Sequence, residues 1–192
     1  ALRPLNTYGW SKALFDIFAA RQAARDYAPP QWVGLKFFNV YGPNEEHKAS
    51  MKSVASQIWP HVKDGRSVQL FKSHHPDYED GGQLRDFVYV RDVAEVVQWL
   101  SQNEPVNGIF NLGSGKARSF KDMAENVFKA AGRAPLIDYI PMPTSIRDKY
   151  QYFTQANMDR LREAGYPGQM TPLEDGIGDY VGSYLNTADP YR

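Results

Sequence analysis

The chain contains 192 residues, and its 22 basic side chains (Lys and Arg) balance its 22 acidic ones (Asp and Glu), so the formal net charge at pH 7 is zero. This balance gives no overall electrostatic attraction to nucleic acid or to an anionic membrane, and we expect neither as a partner. The chain has no cysteine, which excludes disulfides and thiolate metal ligands and fits a reducing cytoplasm, and it has no apolar run of membrane-spanning length.

The first predicted elements are a helix and a buried strand. Residues 8–27 are predicted to be helical, because apolar side chains recur on one face, and Pro29 and Pro30 would end the helix. The stretch WVGLKFFNVYG (32–42) is almost continuously apolar. It predicts a strand buried on both faces, as in a parallel sheet.

Helix and strand patterns then alternate to the end of the chain. Further helices are predicted over 50–63, 155–164 and 172–185. Two more are predicted to begin at N-caps: one at Asp92, and one at Ser119 that ends near residue 131. Strands are predicted over 67–71, 85–90, 108–112 and in LIDYI (136–140), and the polar stretch 72–83 is predicted to be a loop. Alternation of this kind predicts an α/β fold.

Tyr8 and Lys12 are the first candidates for chemistry, because positions four apart lie on one face of a helix. A lysine ammonium held near a phenol favours the phenolate, so the tyrosine could exchange a proton with an alcohol or a carbonyl. The lysine could also hydrogen-bond a ribose hydroxyl. The same spacing is common by chance on solvent-exposed helix faces, so the pair alone leaves both interpretations open.

Two other motifs carry less information. GSGKAR (113–118) follows a predicted strand, but Arg118 stands where the third glycine of a dinucleotide-binding turn would be. His74 and His75 lie near acidic residues in the predicted loop, yet they lack the helical spacing of metal ligands. We therefore predict no metal site.

Arg85 is a candidate for binding an anion. Its forked guanidinium group suits a diphosphate, and diphosphate binding is the interpretation that we favour. The alternative is a structural ion pair with the adjacent Asp86 or a neighbouring carboxylate.

Four blocks spread over residues 4–115 occur in the order and spacing of a known family: PLNTYGWSK, GLKFFNVYGP, RDFVYVRDVAEV and GIFNLGSG. With them the chain resembles the extended short-chain dehydrogenase/reductases, which are nucleotide-sugar epimerases and dehydratases. Three stretches resemble the branch that inverts C6″ of an ADP-linked heptose: NVYGPNEEHKASMKSVA (39–55), LFKSHHPDY with LRDFVYV (70–90), and KYQYFTQANM (149–158). The resemblance implies the remnant of a Rossmann-type parallel sheet interleaved with a smaller α/β substrate domain, and NADP as cofactor.

The resemblance also implies roles for particular residues. Tyr8 and Lys48 are implied as two acid/base groups, and Lys12 and Val40 as contacts to the cofactor. Substrate contacts are implied for Asn39, Ser50, Phe71, Lys72, Ser73, His74, Arg85 and Tyr150, and Gln57 stands where some relatives have a substrate-contacting histidine. An exposed loop lysine without a catalytic role is the alternative for Lys48.

The dinucleotide-binding fingerprint of this family lies far upstream of the tyrosine, and no such fingerprint occurs in this chain. Residues 1–44 are therefore expected to be the C-terminal part of the NADP-binding domain. Residues 45–192 are expected to be mostly the substrate domain, with 85–112 returning to the Rossmann sheet. On this view the chain alone is inactive and retains no tightly bound NADP.

The activity implied by the resemblance is conversion of ADP-D-glycero-D-manno-heptose to its L-glycero form through a transient ketone. The product supplies the inner core of lipopolysaccharide, and the enzyme is expected to be a homo-oligomer. One alternative is another member of the family, such as a UDP-sugar 4-epimerase or a 4,6-dehydratase, which we do not expect to carry a lysine like Lys48. A second alternative is a non-catalytic module that binds at most the sugar nucleotide.

Overall fold

The computed structural model describes residue 4 and residues 6–147 and 149–189. Its helices are α1 (Thr7–Ala23), α2 (Val54–Lys63), α3 (Val90–Ser101), α4 (Phe120–Ala130), α5 (Thr144–Arg147), α6 (Asp159–Glu163) and α7 (Leu173–Tyr180), with a 3₁₀ helix at Glu46–Met51 and a π-helical segment at Val181–Leu185. Its strands are β1 (Val33–Phe37), β2 (Asn39–Tyr41), β3 (Val68–Phe71), β4 (Leu84–Tyr89), β5 (Gly108–Leu112), β6 (Ala117–Ser119) and β7 (Ile137–Ile140). Within the described ranges, no helix has both the length and the apolar character needed to span a bilayer.

Parallel strand pairs form the framework of the fold. β1 pairs with β5, β2 with β4 and β3 with β7, all in parallel, and β6 pairs with β4 in antiparallel orientation. Parallel partners need long connections, and the helices lie in these connections. The predicted α/β fold with parallel strands is confirmed.

The stretch 32–42 is divided into two strands at Phe38. The N–H of Phe38 donates to the carbonyl of Leu112, whereas the next strand, β2, pairs with β4. The prediction that both faces of this stretch are buried is wrong, since Phe37 is 55% exposed. The reason is that β1, among the described residues, has β5 as its only strand partner and is covered incompletely.

Two predicted N-caps have different outcomes. Ser119 caps α4 as predicted: its hydroxyl accepts from the N–H of Asp122, whose carboxylate accepts from the N–H of Ser119. The predicted cap at Asp92 is wrong, because α3 begins at Val90. Asp92 is instead buried in the first turn, where it accepts from the N–H (2.8 Å) and hydroxyl (2.6 Å) of Thr171.

Several other helix boundaries also differ from prediction. The predicted helix 50–63 begins late, because Ser53 breaks it and caps α2 through a bond from the N–H of Ser56 to its hydroxyl (3.3 Å). α1 and α6 are shorter than predicted, and the patterns predict neither α5 nor β6. The helix predicted over 172–185 is confirmed as α7 and the π-helical segment that follows it.

The apolar core has two parts. The larger cluster packs α2, α4 and α7 against β3 and β4, and its completely buried members include Val62, Met123, Val127, Phe128 and Ile177. The smaller cluster joins α3, β5 and α6 through Val96, Leu112 and Leu161. Among the described residues, none of α1 belongs to either cluster.

Tyr41 carries a buried hydroxyl for which no described residue serves as a hydrogen-bond partner. Burial raises the pKa of this phenol, which therefore stays neutral. An unpaired buried hydroxyl costs free energy, so Tyr41→Phe is expected to raise the free energy of unfolding by about 1 kcal/mol. The measurement is chemical denaturation.

Tyr180→Phe is the matched control for this prediction. The Tyr180 hydroxyl is also buried, but it donates to the buried carboxylate of Glu45 at 2.9 Å. Its loss is expected to lower the free energy of unfolding by about 1–3 kcal/mol. If both variants were destabilised equally, the Tyr41 hydroxyl would have to be satisfied in the folded protein.

Candidate functional site

A cleft of about 1020 Å³ lies between α1, the end of β1, the start of β4 and the segment after α5. Four of the predicted site residues line it together: Tyr8, Lys12, Arg85 and Tyr150. The remaining lining comes from Pro4, Asn6, Gly9, Ala13, Asp16, Lys36, Phe37, Ser145, Ile146, Lys149 and Gln151. The structure thus brings residues far apart in the sequence to one concave surface.

α1 presents Tyr8 and Lys12 on the face that borders the cleft. Asn6 caps the helix by accepting a hydrogen bond from the N–H of Gly9 at 2.8 Å, which fixes where the first turn begins. The ammonium of Lys12 lies 5.1 Å from the centre of the Tyr8 ring. The Tyr8 side chain is 71% exposed, so its hydroxyl is accessible to a molecule in the cleft.

An ion pair connects α1 to β1 at the edge of the cleft. Asp16 lies one turn beyond Lys12, and its carboxylate is 2.6 Å from the ammonium of Lys36. Both side chains are mostly shielded from solvent, which makes this contact stronger than an open surface pair. The pair holds the Tyr8 face of α1 against the end of β1.

Arg85 lies over two aromatic rings at the inner end of the cleft. Its guanidinium carbon is 5.1 Å from the ring centre of Tyr150 and 5.7 Å from that of Phe120, and one Nη donates to the carbonyl of Leu84 at 2.8 Å. No carboxylate of the described residues forms an ion pair with it. Burial lowers the pKa of Arg85 and raises that of Tyr150. A poorly solvated cation beside a neutral phenol suits an anionic ligand with polar oxygens.

The carboxylate of Asp86 belongs to a different interaction. It is completely buried and accepts hydrogen bonds from Ser114 N (2.6 Å) and Oγ (2.7 Å), Gly115 N (2.9 Å) and Ala156 N (2.9 Å). The predicted alternative of an Arg85–Asp86 ion pair is therefore wrong. The Gly-rich turn after β5 is filled by this carboxylate: a Cβ on Gly113 would lie 2.7 Å from it.

A second, smaller cavity of about 210 Å³ adjoins the cleft and shares Tyr150 with it. Two further predicted substrate contacts, Gln57 and Phe71, line this cavity, as do Gln69, Gln83 and Phe120. Because Arg85 packs against both Tyr150 and Phe120, it lies at the boundary between the cleft and this cavity.

The predicted loop 72–83 is confirmed and is held by specific contacts. The N–H of Ser73 donates to Asp80 at 2.7 Å, and the N–H of His74 donates to the hydroxyl of Tyr152 at 2.8 Å. The rings of His75 and Tyr152 also pack together, with centres 5.2 Å apart. Of the predicted segment 71–74, Phe71 lines the small cavity, whereas Lys72 and His74 are exposed.

Other predicted site residues lie outside the lining of both cavities. Lys48 and Ser50 are exposed on the 3₁₀ helix, which contains Ala49 in a left-handed conformation (φ 50°). Asn39 is exposed and Val40 half-buried on β2. The roles of these four residues stay predictions. The described residues contain no cluster of three or more His, Asp or Glu arranged to hold a metal ion.

Some cleft residues escape the sequence analysis. Asp16 follows Lys12 by four positions, so the spacing that identifies Tyr8 and Lys12 also places Asp16 on the same helix face. Lys149 carries no comparable signal, because it reaches the cleft from a part of the chain far from α1. Tyr152 lies outside the lining of both cavities, and its hydroxyl accepts from the N–H of His74 in a long-range contact that the sequence does not predict.

Comparison with known proteins agrees with this arrangement. Residues 1–113 match the model of the NAD dependent epimerase/dehydratase family. The chain belongs to this family. The curated ADP-L-glycero-D-manno-heptose-6-epimerase of Nitratidesulfovibrio vulgaris is 53% identical over 190 residues, which are 99% of this chain and 58% of that protein.

Solved structures of the epimerase/dehydratase family share the fold. The ADP-L-glycero-D-manno-heptose-6-epimerase of Helicobacter pylori is 30% identical with a TM-score of 0.76, over 94% of this chain and 52% of that one. The UDP-glucose 4-epimerase of Thermus thermophilus, in complex with NAD, is 29% identical with a TM-score of 0.70, over 92% and 53% of the two chains. The chain thus spans a little more than half the length of the relatives it matches.

Proposed function

We propose that a longer protein that includes this chain converts ADP-D-glycero-D-manno-heptose to its C6″ epimer. The observation that carries the proposal is the cleft that joins Tyr8 and Lys12 to Arg85 and Tyr150. The curated relative, at 53% identity over nearly the whole chain, supports the choice of the heptose as substrate. The product would supply inner-core heptose for lipopolysaccharide, and the protein would work in the cytoplasm as a homo-oligomer.

Tyr8 would exchange the proton of the sugar hydroxyl. Inversion at a carbon that bears a hydroxyl group can proceed through a ketone, which requires a proton to leave the oxygen and later return. The exposed phenol of Tyr8 borders the cleft, and the Lys12 ammonium lies 5.1 Å from the centre of its ring. Lys48 would exchange the proton when the ketone is bound in the opposite orientation.

The residues of this chain fit one end of a nicotinamide dinucleotide, which we propose to be NADP. Lys12 can hydrogen-bond the ribose next to the nicotinamide, and Val40 would contact the same end. The pyrophosphate would be held elsewhere in the longer protein, because the Gly113–Gly115 turn closes on Asp86. When bound, the cofactor would supply the hydride acceptor and donor for C6″. We propose that this chain by itself is inactive and retains no tightly bound NADP.

The substrate assay tests this proposal directly. The full-length protein would be incubated with ADP-D-glycero-D-manno-heptose, and the epimers would be followed by NMR of the C6″ proton. UDP-glucose would be tested in parallel, because a UDP-glucose 4-epimerase is 29% identical to this chain. Turnover of UDP-glucose without turnover of the heptose would contradict the proposal and favour the alternative substrate.

Arg85 provides a test of how the substrate is held. If it binds the diphosphate, Arg85→Met in the full-length protein is expected to raise KM by roughly 10- to 100-fold and to change kcat much less, because the diphosphate is held similarly in the ground and transition states. Arg85→Lys is expected to recover only part of the loss, since a point charge cannot reproduce a two-pronged contact. Steady-state kinetics and the melting temperature would be measured on the same preparations. A lower melting temperature with an unchanged KM would show that Arg85 has a structural role and does not bind the substrate.

A further inference from the structure

Lys12 lies between two polar side chains on the face of α1 that borders the cleft. Tyr8 precedes it by four positions and Asp16 follows it by four, and side chains at this spacing are neighbours on a helix. All three residues line the cleft. The Lys12 ammonium can therefore turn toward the phenol on one side or toward the carboxylate on the other.

Helix geometry favours contact between Lys12 and its acidic neighbour. Each Cα–Cβ bond of a helix tilts toward the N-terminus, so the Asp16 side chain leans toward Lys12. Opposite charges at this spacing attract each other. Yet within the described ranges Lys12 forms no ion pair, and its ammonium lies 5.1 Å from the centre of the Tyr8 ring.

The Asp16 carboxylate is paired with a different cation, Lys36 on β1. The Lys36 ammonium lies 2.6 Å from Oδ2 of Asp16, and the two side chains are 33% and 18% exposed. A short pair that is largely shielded from solvent is stronger than an open surface pair between flexible side chains. The contact engages the carboxylate from the side of the sheet and leaves the Lys12 ammonium beside Tyr8.

We infer that Lys36 is a positioning residue: by pairing with Asp16, it keeps the Lys12 ammonium free to hydrogen-bond the ribose of the nicotinamide cofactor. The inference rests on the proposed function, because it takes Lys12 to hold this ribose. Without the Lys36 ammonium, the Asp16 carboxylate would capture Lys12, and the cofactor would have to compete with this carboxylate. The ion pair therefore does more than join α1 to β1.

Three variants of the full-length protein test this role, and the measurement is the dissociation constant for NADPH, followed by its fluorescence. Lys36→Met releases Asp16 and is expected to weaken NADPH binding roughly 3- to 10-fold, the effect of a partly shielded ion pair that competes for Lys12. Asp16→Asn removes the competing charge and should bind NADPH as the unaltered protein does. The double variant Lys36→Met/Asp16→Asn should have the affinity of Asp16→Asn, although it lacks the ion pair altogether.

A purely structural ion pair would give a different pattern. If the pair only held α1 against β1, all three variants would lose affinity to a similar extent, and this result would overturn the inference. Lys36→Arg keeps the charge and should retain the affinity. Arg118→Met is the control for the loss of a comparable pair: Arg118 lies 2.6 Å from Glu174 and lines neither the cleft nor the small cavity, so its loss should leave NADPH binding unchanged.

A crystal structure of the full-length Lys36→Met variant without cofactor tests the position of Lys12 directly. Its ammonium is expected within about 4 Å of the Asp16 carboxylate, the usual limit for an ion pair. An ammonium that stays beside Tyr8 would overturn the inference. Movement of Lys12 in a protein that binds no NADPH would refute the proposed cofactor and retain Lys36 as the residue that orients Lys12. An unmoved Lys12 in a protein that epimerises the heptose would retain the activity and refute the role of Lys36.

Discussion

Tyr8→Phe is expected to reduce heptose epimerisation by the full-length protein by about 10²–10⁴-fold, the range typical of a lost general acid/base. The substitution removes the phenolic hydroxyl and keeps the ring, so the ring's contact with Lys12 can persist. Because Tyr8 is 71% exposed, the variant should fold with an unchanged melting temperature. Substrate binding should change little, so the loss should appear in kcat.

Lys48→Met is the companion experiment, since it removes the charge and keeps most of the side-chain stem. If Tyr8 and Lys48 each serve one orientation of the ketone, both variants should lose activity by a similar factor. Lys48 is exposed and lines neither the cleft nor the small cavity. Near-normal turnover in Lys48→Met would show that this lysine is not catalytic. It would not contradict the proposed role of Tyr8.

Asp86→Ala is expected to lower the free energy of unfolding by at least about 3 kcal/mol. The substitution leaves three backbone N–H groups, those of Ser114, Gly115 and Ala156, without their common acceptor. Asp86→Asn should also be destabilising. Both carboxylate oxygens accept hydrogen bonds, so in either orientation the amide NH₂ would face other donors.

Asp64→Ala is the control for this prediction. Asp64 pairs with Arg66 at 2.9 Å, but more than half of each side chain is exposed, and such pairs contribute little. Urea denaturation of the three variants would compare them directly. A small effect of Asp86→Ala would mean that water or a rearranged turn satisfies the freed N–H groups.

Local chemistry in the sequence is sufficient to predict the parts of this protein that depend on neighbours along the chain. The spacing of Tyr8 and Lys12 predicts their shared face because the helix period fixes it. The capping box of Ser119 forms as predicted because both of its bonds join residues three apart. The alternation of apolar segments likewise predicts the parallel α/β class.

Only the tertiary structure decides which distant groups meet, because spacing along the chain carries no information about partners that folding brings together. The division of 32–42 depends on which strand lies beside each half, and the acidic side chain of Asp92 bonds to Thr171 instead of capping its own helix. The Gly-rich turn after β5 has the composition of a phosphate-binding loop, yet the buried carboxylate of Asp86 occupies it. The Asp16 carboxylate follows Lys12 at the spacing of a helical ion pair, yet it pairs with Lys36 on β1, so only the folded chain leaves the Lys12 ammonium beside Tyr8.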